Sequence, residues 1–374
     1  MSSNNFGTIG VMVCRRIGSP PFAEKEYLRE LSLASSRFGM SVFVFFPEDK
    51  PDSATLNHQI SGYIYKRDGW VKESFPIPDI IYDRCLFKNV KETSVAASFL
   101  GGLPETTWSM WSRGLPGKRR VYDLLKREPA LSPFLPHTLS YTGSKSLSKA
   151  IDLFDGELFM KPSGGSHGRH TLYVNCKRAD ETILQGRDRS NSIFQKTILA
   201  RDLFHWVNNF TGRRRFIIQP YLKLSSREGS PFDLRVLAQK NARGRWTTTG
   251  MAVRQGPAEG KTSNLHGGGT AMSAPSFLES EFGVSLAGEI IACINHLSEC
   301  IPPLLENGFG RLGELGIDFG IDCSGKVWLL EVNSKPGRRV FRQTGDIPAA
   351  KLSVENPLRY ARYLLLRQLR RVNT

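Results

Sequence analysis

Apolar runs of strand length open the chain. Residues 8–14 and 41–46 are short and apolar. Between them, "AEKEYLRELSLASSRFG" has apolar positions at helical spacing and stops at Gly39, a residue suited to a C-cap. Strand, helix and strand at this spacing predict an α/β unit. "DIIYDRC" at 79–85 adds a further strand. The pattern breaks at "WSRGLPGKRR", where Gly114, Pro116 and Gly117 interrupt it, so a first lobe is expected over residues 1–114. Helical spacing resumes in "KRRVYDLLKREP" and closes at Pro129. "GELFMKPSGGSHGRHTLYV" then reads as strand, glycine-rich loop and strand, and "RFIIQPYLKL" at 215–224 as a strand interrupted by Pro220. "PFDLRVLAQKNARGRWTTTGMAVRQG" predicts two strands joined at Ala242-Arg243-Gly244. After a helix near 286–300, "LGELGIDFGIDCSGKVWLLEVNSKPG" predicts a last two-strand unit. The class is α/β with α+β lobes, and no internal repeat or low-complexity tract is present.

Chemistry concentrates in that last unit. With Ser324-Gly325 as a two-residue turn, Cys323 pairs with Lys326, and counting outward sets Asp318 opposite Glu331. Asn333 lies farther along the same face. Ile317, Phe319, Ile321, Trp328, Leu330 and Val332 fall on the other face, all apolar, and a one-residue slip would bury the acids. Two facing carboxylates repel unless a positive group lies between them. The pair therefore reads either as a solvated strand face or as an oxygen-donor site for a hard divalent cation, typically magnesium on a nucleotide. "FMKPSGGSHGRH" places Lys161 ahead of Gly164, Gly165, Ser166 and Gly168. Such a loop lets backbone N–H groups approach phosphate oxygens, and the lysine adds a mobile charge. It is not a Walker A sequence, and a plain hairpin loop can have this composition. Asp233 and Arg235 share one strand face, as a surface ion pair or as part of a site. "AVRQG" supplies Arg254, and "SNLHGGGTA" supplies Asn264 and His266 beside three glycines.

Composition narrows the classes. The 374 residues are 40% hydrophobic and 23% charged, as in folded globular chains. No apolar run is expected to span a bilayer, and the N-terminus lacks a basic segment ahead of its apolar stretch, a poor signal peptide. Six scattered cysteines without a CxxC pair argue against a disulfide framework or zinc site and make a reducing cytosol the default. The net charge of +16 is spread out, with small clusters at Lys118-Arg119-Arg120, Arg213-Arg214-Arg215 and Arg338-Arg339. Without zinc-finger spacing or an RNA-recognition signature, a generic basic surface is expected rather than a dedicated nucleic-acid site. "PLRYARYLLLRQLRRV" puts Leu358, Ala361, Leu364, Leu365, Leu369 and Val372 on one stripe, opposite Arg359, Arg367, Arg370 and Arg371. It reads as a packed terminal helix with a solvated basic face or as a surface-binding helix.

Asp318, Glu331, Asn333 and the following "SKPG" resemble the C-terminal metal motif of the ATP-grasp superfamily. From about Leu115 to Val340, the order of motifs resembles that of the YheC/YheD family of endospore coat-associated proteins. The resemblance implies an ATP-grasp fold: a Rossmann-like pre-ATP-grasp lobe at 1–114, a central lobe with the glycine-rich loop at 115–218, and a lobe with the metal site and terminal basic helix at 219–374. It implies Mg2+, or Mn2+ in its place, on Asp318, Glu331 and Asn333. ATP would meet Lys118, Lys161, the loop residues Gly164, Gly165, Ser166 and Gly168, and a hinge at Gln219 and Tyr221. Many relatives carry an acid where Pro220 stands, which leaves Glu228 as the candidate for the ribose. Arg235, oriented by Asp233, would bind phosphate, and Arg254 and Asn264 would meet the reacting phosphoryl and acyl groups, with His266 a weaker candidate. The implied activity joins a carboxylate to an amine, or to a thiol, through an acylphosphate. The rival reading is a non-catalytic ATP-grasp-fold protein of the spore coat. The expected location is cytoplasmic, with spore-coat association and coat proteins as partners.

Overall fold

The computed structural model describes residues 6–49, 59–67, 69–104, 108–112, 114–164, 169–256 and 269–372. Six strands form the first sheet, in the order Gly69–Phe75, Ile60–Lys66, Met40–Phe45, Gly7–Met12, Ile80–Asp83 and Ser109–Trp111. The last four run parallel, as short apolar strands joined by long crossovers can. An antiparallel hairpin that the hydrophobic pattern did not single out extends one edge. Helix Lys25–Ser35 buries Leu28, Leu31 and Ala34 and runs into a short 3-10 turn that ends at Gly39, whose φ of 68° suits glycine.

The central sheet is antiparallel throughout its paired strands, in the order Ile193–Leu199, Glu181–Arg187, Thr171–Asn175, Glu157–Pro162, Phe216–Pro220, Leu139–Ser140. The third sheet runs Thr270–Ser273, Trp246–Gln255, Phe232–Lys240, Glu314–Ile321, Val327–Asn333, also antiparallel. Helix Val284–Phe309 covers one face of this sheet, where Ile290, Ile294, Leu297 and Ile301 share a core with Leu234, Val236, Ile317 and Phe319. By length and composition this helix is apolar enough to cross a membrane, contrary to the expectation that no such run exists. Here its apolar side is engaged by the sheet. Helix Lys118–Leu125 contributes Val121 and Leu125 to the same core, although in sequence it precedes the central sheet.

The chain's end closes on its beginning. Helix Ile347–Val372 sends Leu358, Ala361, Leu364 and Leu365 into the first sheet's core beside Val11, Leu28 and Val42. The packed reading of this helix therefore holds over its described side chains. A polar seam crosses the junction. Glu314, 2% exposed, accepts hydrogen bonds from Tyr82 Oη (2.5 Å), Arg84 Nη1 (2.7 Å), Gln239 Nε2 (3.2 Å) and Arg338. Arg84 also donates through Nε to Glu24 (3.1 Å) and through Nη2 to the Pro336 carbonyl (3.2 Å), which fixes the turn after "SK". Burial alone would raise the Glu314 pKa, but Arg338 and Arg84 outweigh it and hold the carboxyl below its ordinary value.

Candidate functional site

Asp318 does stand opposite Glu331, with Gly316 opposite Asn333. The route to that register differs from a simple count. Asp322 N–H donates to the Lys326 carbonyl (3.1 Å), so the loop holds three residues, Cys323 to Gly325, with Gly325 at φ 84°. The Asp322 side chain stabilises this turn by accepting from the backbone of Ser324 (3.0 Å) and Lys326 (3.1 Å) and from Trp328 Nε1 (2.9 Å). A compensating irregularity next to Asp318 restores the expected pairing. Consequently Val327 and Leu329, rather than Trp328 and Leu330, join Ile317, Phe319 and Ile321 in the core.

Cross-strand register, more than spacing along one strand, selects the ion pairs, because directly opposed side chains are closer than residues i and i+2. Arg235 faces Asp318 and Arg254 faces Asp233. Arg235 grips Asp318 through both Nε and Nη2, the latter at 2.9 Å from Oδ2. Arg254 Nε donates to Asp233 Oδ1 (2.6 Å), while its Nη2 lies 3.1 Å from Asp318 Oδ1. The expected orientation of Arg235 by Asp233 is thereby corrected: Asp233 holds Arg254, and Asp318 holds Arg235. Asn333 Nδ2 donates to Asp318 Oδ2 (3.3 Å), and Glu331 pairs with Lys118 Nζ (3.1 Å). A row of charge results, running Arg235, Asp318, Glu331, Lys118 across the sheet.

Electrostatics follow from this row. Burial would raise the Asp318 pKa, yet Arg235 and Arg254 hold it below the usual carboxylate value. Burial works against the Arg254 charge, and Asp318 and Asp233 more than restore it. Lys161, on the strand Glu157–Pro162, reaches the Leu330 carbonyl at 3.4 Å. Burial, followed by the nearby Lys118 charge, pushes its pKa down to about 8.

These charged groups line one cavity of about 1010 Å3, together with Lys161, Gln219 and Tyr221. Gln219 Nε2 donates to Thr138 Oγ1 (2.8 Å), and Tyr221 N–H donates to the Glu157 carbonyl (3.0 Å). Gly164 is exposed just past its strand and is not part of the cavity wall. Gly165, Ser166, Gly168, Asn264 and His266 lie outside the described residues. Glu228 sits in an exposed turn away from the lining, so the ribose candidate is not brought to the cavity. No group of three or more His, Cys, Asp or Glu able to hold a metal occurs among the described residues. The donors gathered at Asp318, Glu331 and Asn333 are two carboxylates and an amide, which fit a hard cation that completes its shell with phosphate or water oxygens.

The sequence model described as "YheC/D like ATP-grasp" matches residues 108–364. The chain belongs to this family. It is 28% identical over 354 residues to the endospore coat-associated protein YheC of Bacillus subtilis (strain 168), across 92% of this chain and 94% of that one. Its fold is similar to that of D-cycloserine synthetase DcsG, with TM-score 0.51 at 14% identity over 96% of this chain and 99% of that chain. The ATP-grasp ligase PsnB, solved with a phosphomimetic variant of its minimal precursor, Mg and ADP, gives TM-score 0.50 at 14% identity over 96% and 98%. The expected ATP-grasp fold is borne out.

In this ATP-grasp chain the cavity extends beyond the motifs. Glu24 and Tyr27, at the start of the first helix, and Arg338 and Arg339, after the "SKPG" turn, line its far side. Arg169 lines it next to the glycine-rich loop. The Arg338-Arg339 pair was visible as a basic cluster. Nothing local to residues 24–27 says which sheet they face, so sequence reasoning missed them.

Proposed function

We propose that this chain is an ATP-dependent ligase that joins a carboxylate to an amine, or less often a thiol, through an acylphosphate. The observation that supports it best is the row Arg235, Asp318, Glu331, Lys118, with Arg254 and Lys161 beside it, inside one cavity. Asp318, Glu331 and Asn333 would hold Mg2+, or Mn2+, which supplies charge neutralisation between phosphate oxygens. Lys161 and Lys118 would bind the nucleotide phosphates, helped by the loop that begins at Gly164 and includes Gly165, Ser166 and Gly168. The backbone of Gln219 and Tyr221 would meet the base, since the Gln219 side chain is already engaged by Thr138.

Transfer would proceed by attack of the substrate carboxylate on the terminal phosphorus, with ADP leaving. The amine would then add to the acylphosphate carbon and release phosphate. Arg254 is held in place by Asp233 and Asp318, so its guanidinium would meet the charge that develops during transfer with little reorganisation. Arg235 and Asn264 would share that work. The setting we infer is cytoplasmic, with association to the spore coat as the name of the YheC relative suggests. One observation favours the rival, non-catalytic coat protein: each acid of the row is already neutralised by arginine or lysine, so the fold does not need a cation to stand.

The deciding experiment is coupled ADP release over a library of acids and amines, with mass spectrometry of products. Arg254→Ala should lower turnover on the order of 100-fold while changing Mg-ATP affinity little. Tight Mg-ATP binding without any ligated product across the library would favour the scaffold. Equal turnover in the variant would remove Arg254 from the mechanism.

A further inference from the structure

Two basic clusters that are 95 positions apart in sequence, Lys118-Arg119-Arg120 and Arg213-Arg214-Arg215, meet in space. Ser163 stitches them together. Its carbonyl accepts from Lys118 N–H (2.9 Å), and its own N–H donates to the Arg215 carbonyl (2.9 Å). Ser163 directly follows the strand that carries Lys161, and neighbouring strands bring more arginine to the same end of the central sheet. Thr171 pairs with Arg187, and just past that pair the His170 N–H donates to the Asp188 carbonyl (3.1 Å), so the residues that follow outward, Arg169 and Arg189, lie at this end of the two strands. Arg120, Arg169, Arg189, Arg213 and Arg215 are exposed, and none occurs in an ion pair among the described residues. Asp188, the acid in their midst, has Oδ1 engaged by the Ser192 N–H (2.8 Å).

Arg214 is set by a buried histidine. His170 is 1% exposed, with Nε2 at 2.8 Å from the Phe210 carbonyl and Nδ1 at 3.2 Å from Arg214 Nη1. The carbonyl requires a donor at Nε2, which leaves Nδ1 to accept from the guanidinium. Burial and the Arg214 and Arg189 charges lower the His170 pKa, in keeping with this neutral ring. The rim therefore combines exposed guanidinium groups with one that the fold holds in place.

We propose that this arginine rim docks a peptide segment rich in Asp and Glu, and that the segment carries the carboxylate delivered to the cavity. The second clause rests on the ligase reading; the docking itself does not. Guanidinium forks match carboxylates two bonds to two. The rim leads directly into the cavity, because Arg169, Lys118 and Lys161 belong to its wall. Its size fits a short extended chain: from Arg189 to Arg215 it crosses three strand intervals. That is roughly 15 Å, or about four to five extended residues. A single-stranded nucleic acid fits less well, since such sites pair basic groups with free aromatic rings. Here the nearby rings pack on one another, with Trp206 and Phe210 stacked at 5.1 Å and Phe216 buried.

The test uses the full chain and a labelled peptide of six alternating Glu and Asp residues, read by fluorescence anisotropy. The wild-type protein should bind it with an affinity that falls as salt rises. Arg189→Ala/Arg213→Ala/Arg215→Ala should weaken it at least about tenfold, as three lost surface charge contacts would. Mg-ATP affinity, measured by calorimetry on the same proteins, should stay unchanged. The single variant Arg213→Glu repeats the comparison with less perturbation, and a thermal melt confirms that both variants fold. Undiminished peptide binding in the variants, or none in the wild type at low salt, overturns the proposal. So does tighter binding of an oligonucleotide of equal charge, or parallel loss of Mg-ATP, which would assign the rim to nucleic acid or to nucleotide phosphate. Peptide binding that persists where Mg-ATP fails to bind would sink the ligase reading and leave the rim standing.

Discussion

Lys161 offers a way to read nucleotide binding without knowing the acid or the amine. In the ligand-free protein its pKa lies at about 8, against 10.5 for an unperturbed lysine, because burial and then Lys118 disfavour its charge. About half of the molecules are therefore neutral at this position at pH 8, about a tenth at pH 7 and about nine-tenths at pH 9. A phosphate beside Nζ stabilises the ammonium and returns the pKa towards its ordinary value. Binding should then draw in about half a proton per nucleotide at pH 8, about a tenth at pH 7 and about nine-tenths at pH 9. Calorimetric titration with a non-hydrolysable Mg-ATP analogue, in buffers of different ionisation enthalpy, measures this number as a slope. Lys161→Arg stays charged throughout and should take up none at this site. The same shift has a sign in folding. The folded pKa lies below the unfolded one, so the charged lysine costs stability below pH 8, and stability rises as pH climbs from 8 towards 10.5. The full difference is about 3 kcal/mol, so Lys161→Met should stabilise the ligand-free protein at pH 7 while weakening nucleotide binding. Zero proton uptake at pH 8 and 9, or equal uptake in Lys161→Arg, would refute the reasoning.

Two other perturbations test the polar framework. Glu314→Gln leaves Arg338 without its buried partner and Arg84 with Glu24 alone, so it should cost about 3–5 kcal/mol in urea unfolding. The carboxyl's lowered pKa adds a sign: its stabilisation is complete above the unfolded pKa and is lost as pH falls through the folded one, so the variant should show a flatter acid limb. Glu331→Gln breaks only the partly exposed pair with Lys118, so its stability should stay within about 1 kcal/mol of wild type while Mg-dependent nucleotide affinity drops. Asp318→Asn should lower both, because Arg235 and Arg254 lose the carboxylate they share; unchanged melting and unchanged Mg-ATP titration would count against the paired row.

Local pattern carried much of this protein. The strand–helix–strand start of the first sheet, the glycine that ends its helix, and the two-strand units of the third sheet were all legible from period and punctuation. Those features depend on neighbours within a few residues, which the sequence lists in order. The opposition of Asp318 and Glu331 was legible for the same reason, though the turn and the irregularity that produce it were not. The hydrogen bonds that the Asp322 carboxylate accepts from Ser324, Lys326 and Trp328 chose the loop length, and alternation of apolar residues cannot register such a choice. What lay beyond sequence was every pairing between distant segments. Whether Asp233 held Arg235 or Arg254 depended on the register of three strands laid side by side, and the opposed residue prevailed over the one two positions along. The burial of Arg84 and Arg338 around Glu314 needed the first sheet, the third sheet and the terminal helix to meet. The rim needed Ser163 to join two clusters that looked dispersed along the chain. Sequence separation carries no information about which charges become neighbours, because that follows from how buried apolar faces pack, and the polar groups are carried along with them.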